Sequence, residues 1–381
     1  MELKGFYCFM ILLIVSFSDA SRLSKTPVKS IKSEDGDVID CVHISRQPAF
    51  DNPLLRNHVI QTRPKFSLEG LPANKLSNSK NLPIAQLWQL SGSCPEETIP
   101  IRRTKQVDAL TASSIHRNLH STVARHTEQI RQEGRPKLQL AAALVEGEYY
   151  GAKATINIWG PLVQQSNELT TSLLSISRGS SLSNLSSIEV GWQVNPSLYN
   201  DNRTRLFTFW WNRFKGCYDL LCSGFIQITN KIALGGALSP LSIYHGEQFD
   251  IDVFVLKDAS QDVWWLQVGK ETLGYWPTSL LPNLANSAST ILWGGIVFDS
   301  ESDGQHTTTQ MGSGHPPEEG FEGASYMKNL QVVVESDNLS PLSNPVAIAQ
   351  QPNCYNVTLG KSSYSGDYIF YGGPGRNPNC P

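Results

Sequence analysis

Charge is what this sequence has least of. Charged residues make up 17% of the chain, below the roughly 25% of an average globular protein. The 31 Lys+Arg and 34 Asp+Glu leave a net charge of −3, which excludes a strongly basic nucleic-acid binder and an acidic-tail protein. Long apolar runs are also missing. After the first 20 residues no stretch approaches 18 apolar residues, so the mature chain is expected to be soluble, with no membrane partner. There is no Gly-x-Ser-x-Gly elbow, which argues against a hydrolase of that design. In Gly312-Ser313-Gly314-His315 the serine and histidine are near neighbours in sequence, which does not make a catalytic triad. No glycine-rich loop has the strand-to-helix setting that cradles phosphate, and neither Cys-x-x-Cys nor His-Glu-x-x-His occurs. No cofactor and no metal is therefore expected.

What is present makes a core. Hydrophobic residues are 40% of the chain, with 9 Trp, 12 Tyr and 14 Phe, which excludes global disorder. The 29 Gly and 22 Pro favour frequent turns over a helical bundle. At 381 residues the length suits about two to three domains.

The N-terminus reads as a secretion signal. Lys4 precedes an apolar run from Phe6 to Phe17, and Ser18-Asp19-Ala20 follows with small residues suited to cleavage after Ala20. Cys8 falls inside this segment. Six cysteines remain, Cys41, Cys94, Cys217, Cys222, Cys354 and Cys380, an even number that fits an oxidising compartment. Chain order suggests Cys41–Cys94, Cys217–Cys222 and Cys354–Cys380, although six cysteines allow fifteen connectivities. Asn184, Asn202, Asn338 and Asn356 begin glycosylation sequons. The expected location is extracellular or the cell wall.

Three stretches follow the signal. Residues 21 to about 100 are rich in Ser, Asn, Lys and Pro and read as a small disulfide-closed unit. Residues 102–137 carry Arg102, Arg103, Lys105, Arg117, Arg125, Arg131, Arg135 and Lys137 against Asp108, Glu128 and Glu133. They read as a basic linker with some amphipathic helical spacing. From Leu138 onward the apolar period is two. Such runs occur around 154–158, 187–195, 204–211, 249–256, 262–268, 290–299 and 328–335, separated by turn residues. Many short strands without long helices predict an all-β antiparallel sandwich or barrel. The best helical turn there falls near Pro277–Asn283.

Ile188, Val190, Trp192 and Val194 share one face of a predicted strand, while Glu189, Gly191 and Gln193 share the other. A carboxylate that can activate water and a carboxamide that can bind an oxyanion are thus neighbours, with a glycine between them that would let a ligand approach. The same pattern also describes an ordinary solvated face. In Trp210-Trp211 and Trp264-Trp265, adjacent residues point to opposite faces, so one of each pair is available to line a groove.

The chain resembles the neprosin family, secreted plant glutamic endopeptidases that cut after proline. The resemblance rests on Asp40-Cys41-Val42, Gln47-Pro48-Ala49-Phe50-Asp51, Cys94-Pro95 and Ile99-Pro100-Ile101-Arg102-Arg103 in the N-terminal part. It continues through Ala154-Thr155-Ile156-Asn157-Ile158-Trp159, Gly191-Trp192-Gln193-Val194, Gly216-Cys217-Tyr218-Asp219-Leu220 and Gly274-Tyr275-Trp276-Pro277. His306-Thr307-Thr308-Thr309-Gln310-Met311-Gly312-Ser313-Gly314-His315 and Tyr371-Gly372-Gly373-Pro374-Gly375 complete it. The resemblance implies a signal at 1–20, an activation propeptide with its basic linker at 21–137 and a β-sandwich catalytic-type domain at 138–381. It also implies two glutamates facing each other across a groove, one activating water and the other donating a proton.

The first family glutamate falls on Glu189. The second belongs to a Trp-Gly-Gly-Glu motif that here reads Trp293-Gly294-Gly295-Ile296. Isoleucine neither accepts nor donates a proton. Asp299 is expected on the opposite face, and Glu301 and Asp303 lie beyond. Loss of one acid/base group costs about 10²–10⁴-fold in rate, so the protein is expected to be weak or inactive and to bind peptide in the groove. Gly191, Gln193, Trp211, Trp293 and Gly294 are the expected ligand-binding residues. The alternatives are an active endopeptidase using Glu189 with Gln193, or a binder of cell-wall polysaccharide. Glu189 and Ile296 are expected to share a face, with Cβ atoms within about 12 Å, a few strand spacings. The basic linker, with His116, His120 and His126, is expected to undock in acid as those imidazoles gain charge.

Overall fold

The computed structural model describes residues 26–65, 85–104, 138–179, 184–213, 215–300, 304–334 and 338–381. Residues 1–25, where a signal is expected, most of the basic linker with its three histidines, and Glu301 and Asp303 lie outside the described residues. The N-terminal strands are β1 (Lys29–Lys32), β2 (Val38–His43), β3 (Ala85–Gln86) and β4 (Thr98–Arg102). The body begins with β5 (Leu138–Tyr149), β6 (Gly151–Asn157), β7 (Leu169–Arg178), β8 (Ser186–Val194), β9 (Arg205–Asn212) and β10 (Lys215–Tyr218). Next come β11 (Ile226–Gln227), β12 (Leu238–Ser239), β13 (Asp250–Asp258), β14 (Val263–Val268), β15 (Glu271–Pro277) and β16 (Ala288–Phe298). The chain ends with β17 (Ser325–Val333), β18 (Leu339–Pro341), β19 (Val346–Ala349), β20 (Asn356–Ser362) and β21 (Gly366–Gly372). The predicted helical turn is present as two 3-10 turns, Thr278–Leu280 and Pro282–Leu284.

The body is an antiparallel β-sandwich. One sheet has seven strands in the order β10-β9-β8-β7-β16-β5-β19. The other has nine and runs β11-β15-β14-β13-β6-β17-β21-β20, with β18 on β17. Strand alternation sorts the side chains. Ile188, Val190 and Trp192 of β8 join Trp293 of β16 and Ile156, Val253 and Trp264 of the nine-stranded sheet in the main core. Burying each such large side chain contributes roughly 1.5–3 kcal/mol. Phe207, Phe209, Leu173, Leu292 and Ile296 form a second apolar cluster on the opposite, outer face of the seven-stranded sheet. Trp265 belongs to the other sheet, where its ring lies 4.6 Å from that of Tyr275. Neither Trp264 nor Trp265 lines the outer face of the seven-stranded sheet, because β14 is not part of it.

The N-terminal segment has its own three-stranded sheet, β1-β2-β4, closed by the disulfide Cys41–Cys94. In the body, Cys217 joins Cys222 and Cys354 joins Cys380. Arg102 and Arg103 are part of this sheet assembly rather than of a solvated linker. Arg102 pairs with Asp37 (2.8 Å) and Arg103 with Asp40 (2.6 Å) across the β2–β4 pair.

The segment docks on the body through backbone-like contacts. β3 pairs with β12. Gln86 donates to the Ala233 carbonyl (2.7 Å) and accepts from its N–H (2.8 Å). Gln47 does the same at Gln227, with distances of 3.1 and 2.8 Å. Each glutamine thus satisfies a buried peptide group as a neighbouring strand would. Asp37 reaches across to Arg205, whose side chain has no exposed surface (2.6 Å). Burial alone would raise the Asp37 pKa, but the hydrogen bonds and charges of Arg205 and Arg102 outweigh it and hold the carboxyl below its ordinary value.

Candidate functional site

The outer face of the seven-stranded sheet carries the candidate groove. Its rows follow from the strand pairings. Glu189 of β8 pairs with Ser175 of β7, which pairs with Leu292 of β16. Gly191 leads through Leu173 to Gly294, and Gln193 through Thr171 to Ile296. Glu189 and Ile296 therefore share a face but not a row. Ile296 is level with Gln193, and Glu189 is level with Leu292. On this face they are two strands and four residues apart.

The two glycines have a different first purpose from the one expected. A Cβ on Gly191 would stand 1.9 Å from the Ser172 carbonyl oxygen, and one on Gly294 would stand 2.3 Å from that of Ala141. The neighbouring strands approach too closely for any side chain, so the sheet itself demands glycine here. The row Gly191–Leu173–Gly294 marks a tightly coiled line between the Glu189 and Gln193 levels.

Alternation also corrects the tryptophans. Gly294 and Ile296 face the groove, so Trp293 must face inward. It is fully buried in the main core, where its indole N–H donates to the Lys153 carbonyl (3.3 Å). Trp293 is not a groove residue. Trp211 pairs with Ser187 and clusters with the outer-face residues, whereas Trp210 packs in the main core. Asp299 lies on the inward side, where it accepts from Gln139 Nε2 (3.3 Å) and lies 4.0 Å from His306 Nε2. His315 is engaged by Glu319 (3.0 Å) rather than placed as a base for Ser313. His306 stands beside Cys354 and Cys380, but those sulfurs are bonded to each other and offer no thiolate to a metal. Of the sequon asparagines, Asn184, Asn202 and Asn338 are exposed and Asn356 is half-buried.

Several polar groups of the groove are not visible in the sequence pattern. Thr171 stands between Gln193 and Ile296 with its hydroxyl fully buried and without a hydrogen-bond partner among the described residues. Ser187 has a hydroxyl in the same condition on the same face. Gln193 donates to the Tyr199 hydroxyl (2.9 Å), and Tyr199 donates to Asp219 Oδ2 (2.9 Å). Burial pushes the Asp219 pKa up to about 7, against hydrogen bonds from the Thr208 N–H and Tyr199 and the positive charges of Arg102 and Arg205. Burial, then the charges of Glu189 and Asp219, push the phenol of Tyr218 well above its ordinary value. Asp219 is a second carboxyl near the groove that motif reading missed. It sits at a positive φ of 50° just after β10, and its side chain folds back onto β9. Only the pair Tyr218-Asp219 in the quoted Gly-Cys-Tyr-Asp-Leu stretch signals it.

An antiparallel sandwich that carries a disulfide-closed N-terminal segment clamped to its body, with an acid on its outer face, is the build of a peptidase-like protein made with an activation peptide. Sequence comparison assigns it more closely. Residues 166–374 match the Neprosin family and residues 30–142 match the Neprosin activation peptide. The chain belongs to the neprosin family. Among solved structures it is similar to scytalido-glutamic peptidase with a peptide-based transition-state analogue, at 13% identity over 61% of this chain and 97% of that one, with a TM-score of 0.33. It is also similar to SCP-B, a member of the Eqolisin family, in a complex with the tripeptide Ala-Ile-His, at 12% identity over 61% of this chain and 96% of that one, with a TM-score of 0.32. Among the described residues no helix is long and apolar enough to cross a membrane.

Proposed function

We propose that this is a secreted neprosin-like protein that binds peptide along the outer face of its seven-stranded sheet and hydrolyses it weakly or not at all. In this reading residues 1–20 are a signal, 21–137 an activation propeptide and 138–381 the peptide-binding domain, with the sequons glycosylated. The observation that carries the reading is the row Gln193–Thr171–Ile296. An apolar side chain occupies the place of the family's second glutamate, and the buried Thr171 hydroxyl beside it has no partner among the described residues. An isolated buried hydroxyl costs roughly 1–3 kcal/mol, and a carboxyl at 296 would remove that cost.

Glu189 remains as the base and Gln193 as the oxyanion donor, so water activation and carbonyl binding stay available. What is missing is the acid that protonates the leaving amine. The test is to give the processed protein a proline-containing peptide and to follow binding and cleavage separately, beside Ile296→Glu. Binding by both with cleavage only by the variant supports the reading. Equal cleavage by both would establish an active enzyme working through Glu189 and Gln193. Binding of cell-wall polysaccharide in preference to peptide would move the protein to another class.

A further inference from the structure

A file of hydrogen bonds runs from the short helix Pro196–Tyr199 to the groove-face glutamine, and its donors all point one way. The Leu198 N–H donates to Asn195 Oδ1 (3.2 Å), which fixes the oxygen end of that amide. Asn195 Nδ2 is then left to donate to Gln193 Oε1 (3.4 Å). This fixes the Gln193 amide in turn, so its Nε2 donates to Tyr199 Oη (2.9 Å). The Tyr199 O–H donates to Asp219 Oδ2 (2.9 Å), and the Thr208 N–H donates to the other carboxyl oxygen (3.0 Å). Each member accepts from the one before it, so the file needs a pure acceptor at its end. Reversing it would require both amides to turn over, and Asn195 cannot turn without leaving the helix N–H uncapped.

We propose that Asp219 is a positioning residue which, through Tyr199, holds Gln193 as a hydrogen-bond donor for a peptide carbonyl in the groove. This rests on the peptide-groove reading above. Gln193 has two Nε2 hydrogens. One goes to Tyr199, and no described residue accepts the other. In the same row the Thr171 hydroxyl is also without a partner. The pair offers two adjacent donors on one face, which is what a carbonyl oxygen accepts.

The activation peptide braces the same file from behind. Arg102 donates to the Tyr199 carbonyl (3.0 Å), and its guanidinium carbon lies 5.4 Å from the Tyr199 ring centre. Arg205 lies 5.3 Å from that ring, and Asp37 bridges the two arginines. The charged and titratable groups around Asp219 are thus Tyr199, Tyr218, Arg102 and Arg205, with Asp37 and Asp201 behind the arginines and Glu189 beyond Tyr218. With its pKa raised to about 7 by burial, Asp219 gains a proton as the solution turns mildly acidic. A protonated Asp219 is a donor, and Tyr199 then faces donors on both sides. The Tyr199 hydroxyl then loses the acceptor that set its direction, and the surroundings of the Gln193 amide change with it.

The experiment uses the full chain with 15N-labelled glutamine side chains. The Gln193 resonance is identified by its loss in Gln193→Asn, and the pH is taken from 4 to 9. The proposal expects the Gln193 amide to shift with a midpoint near 7. Asp219→Asn should abolish that shift. Tyr199→Phe removes one oxygen from an otherwise intact ring and should do the same, which keeps the test available if the Asn variant folds poorly. A Gln193 amide indifferent to pH, or one that titrates equally in Tyr199→Phe, overturns the proposal. Affinity for the proline-containing peptide, measured alongside at pH 8 on the processed protein, should fall about tenfold in Tyr199→Phe. If the amide titrates and no peptide binds, the peptide-groove reading falls and the coupling to Asp219 remains. If peptide binds and the amide ignores Asp219, the coupling falls alone.

Discussion

The surface where the activation peptide meets the body and the outer face of the seven-stranded sheet are both buried, yet they treat polar groups differently. At the docking surface Gln47 and Gln86 each satisfy both a donor and an acceptor of the body, and Asp37 lies between two arginines. On the sheet face the hydroxyls of Thr171 and Ser187 meet no described partner. The two buried carboxyls show the same contrast. Direct ion pairs outweigh burial at Asp37 and lower its pKa. At Asp219 the arginines act through space without a hydrogen bond, burial wins and the pKa rises to about 7.

The largest effect on stability is expected from breaking the completed side. Asp37→Ala leaves the Arg205 side chain buried with one carboxylate fewer, and removing one member of a buried pair costs about 3–5 kcal/mol. Urea denaturation of the full chain measures this; a loss under 1 kcal/mol would mean that Asp201 alone satisfies the arginine.

The next effect is one of pH, with opposite signs at the two carboxyls. Asp219 has a raised folded pKa, so its contribution is present below the ordinary value of 3.8 and is lost as pH rises through about 7. Asp37 has a lowered folded pKa, so its contribution is present above 3.8 and is lost as pH falls through the lower folded value. Asp219→Asn should therefore flatten the decline in stability as pH rises from about 3.8 to about 7, on the order of 2–4 kcal/mol, and leave the profile above that range unchanged. A variant that keeps the wild-type decline across that range would show that Asp219 is not buried as described.

The smallest effect sharpens the contrast most. Thr171→Val keeps the shape and removes the unpartnered hydroxyl, so stability should stay level or rise by up to about 1 kcal/mol. Gln86→Leu, at an equally buried site, should cost about 1–3 kcal/mol, because the N–H and carbonyl of Ala233 lose their partner. Similar losses in both, read from urea midpoints, would erase the distinction between the two surfaces.

Much of this architecture is legible in the chain. Period-two patterning in β8 separates Ile188, Val190 and Trp192 from Glu189, Gly191 and Gln193, and the structure keeps those two faces. The same rule applied to Trp293 and Ile296 places the tryptophan inward, although its place in a motif draws it toward the site. The groove rows are less accessible. Whether Ile296 is level with Glu189 or with Gln193 depends on pairing through β7, and a single sequence does not state register. Asp219 and Arg205 are harder still. One lies in a turn with positive φ, and the other owes its burial to Asp37, 168 residues earlier. No local pattern encodes a contact of that span.

The central claim is that hydrolysis lacks only the carboxyl at position 296. The most direct measurement is the ratio of cleavage rates of Ile296→Glu and wild type on one proline-containing peptide, with the activation peptide removed from both. The account predicts a gain of about 10²–10⁴-fold, abolished when Glu189→Gln is added. A ratio near one, with wild-type cleavage that disappears in Glu189→Gln alone, would contradict it.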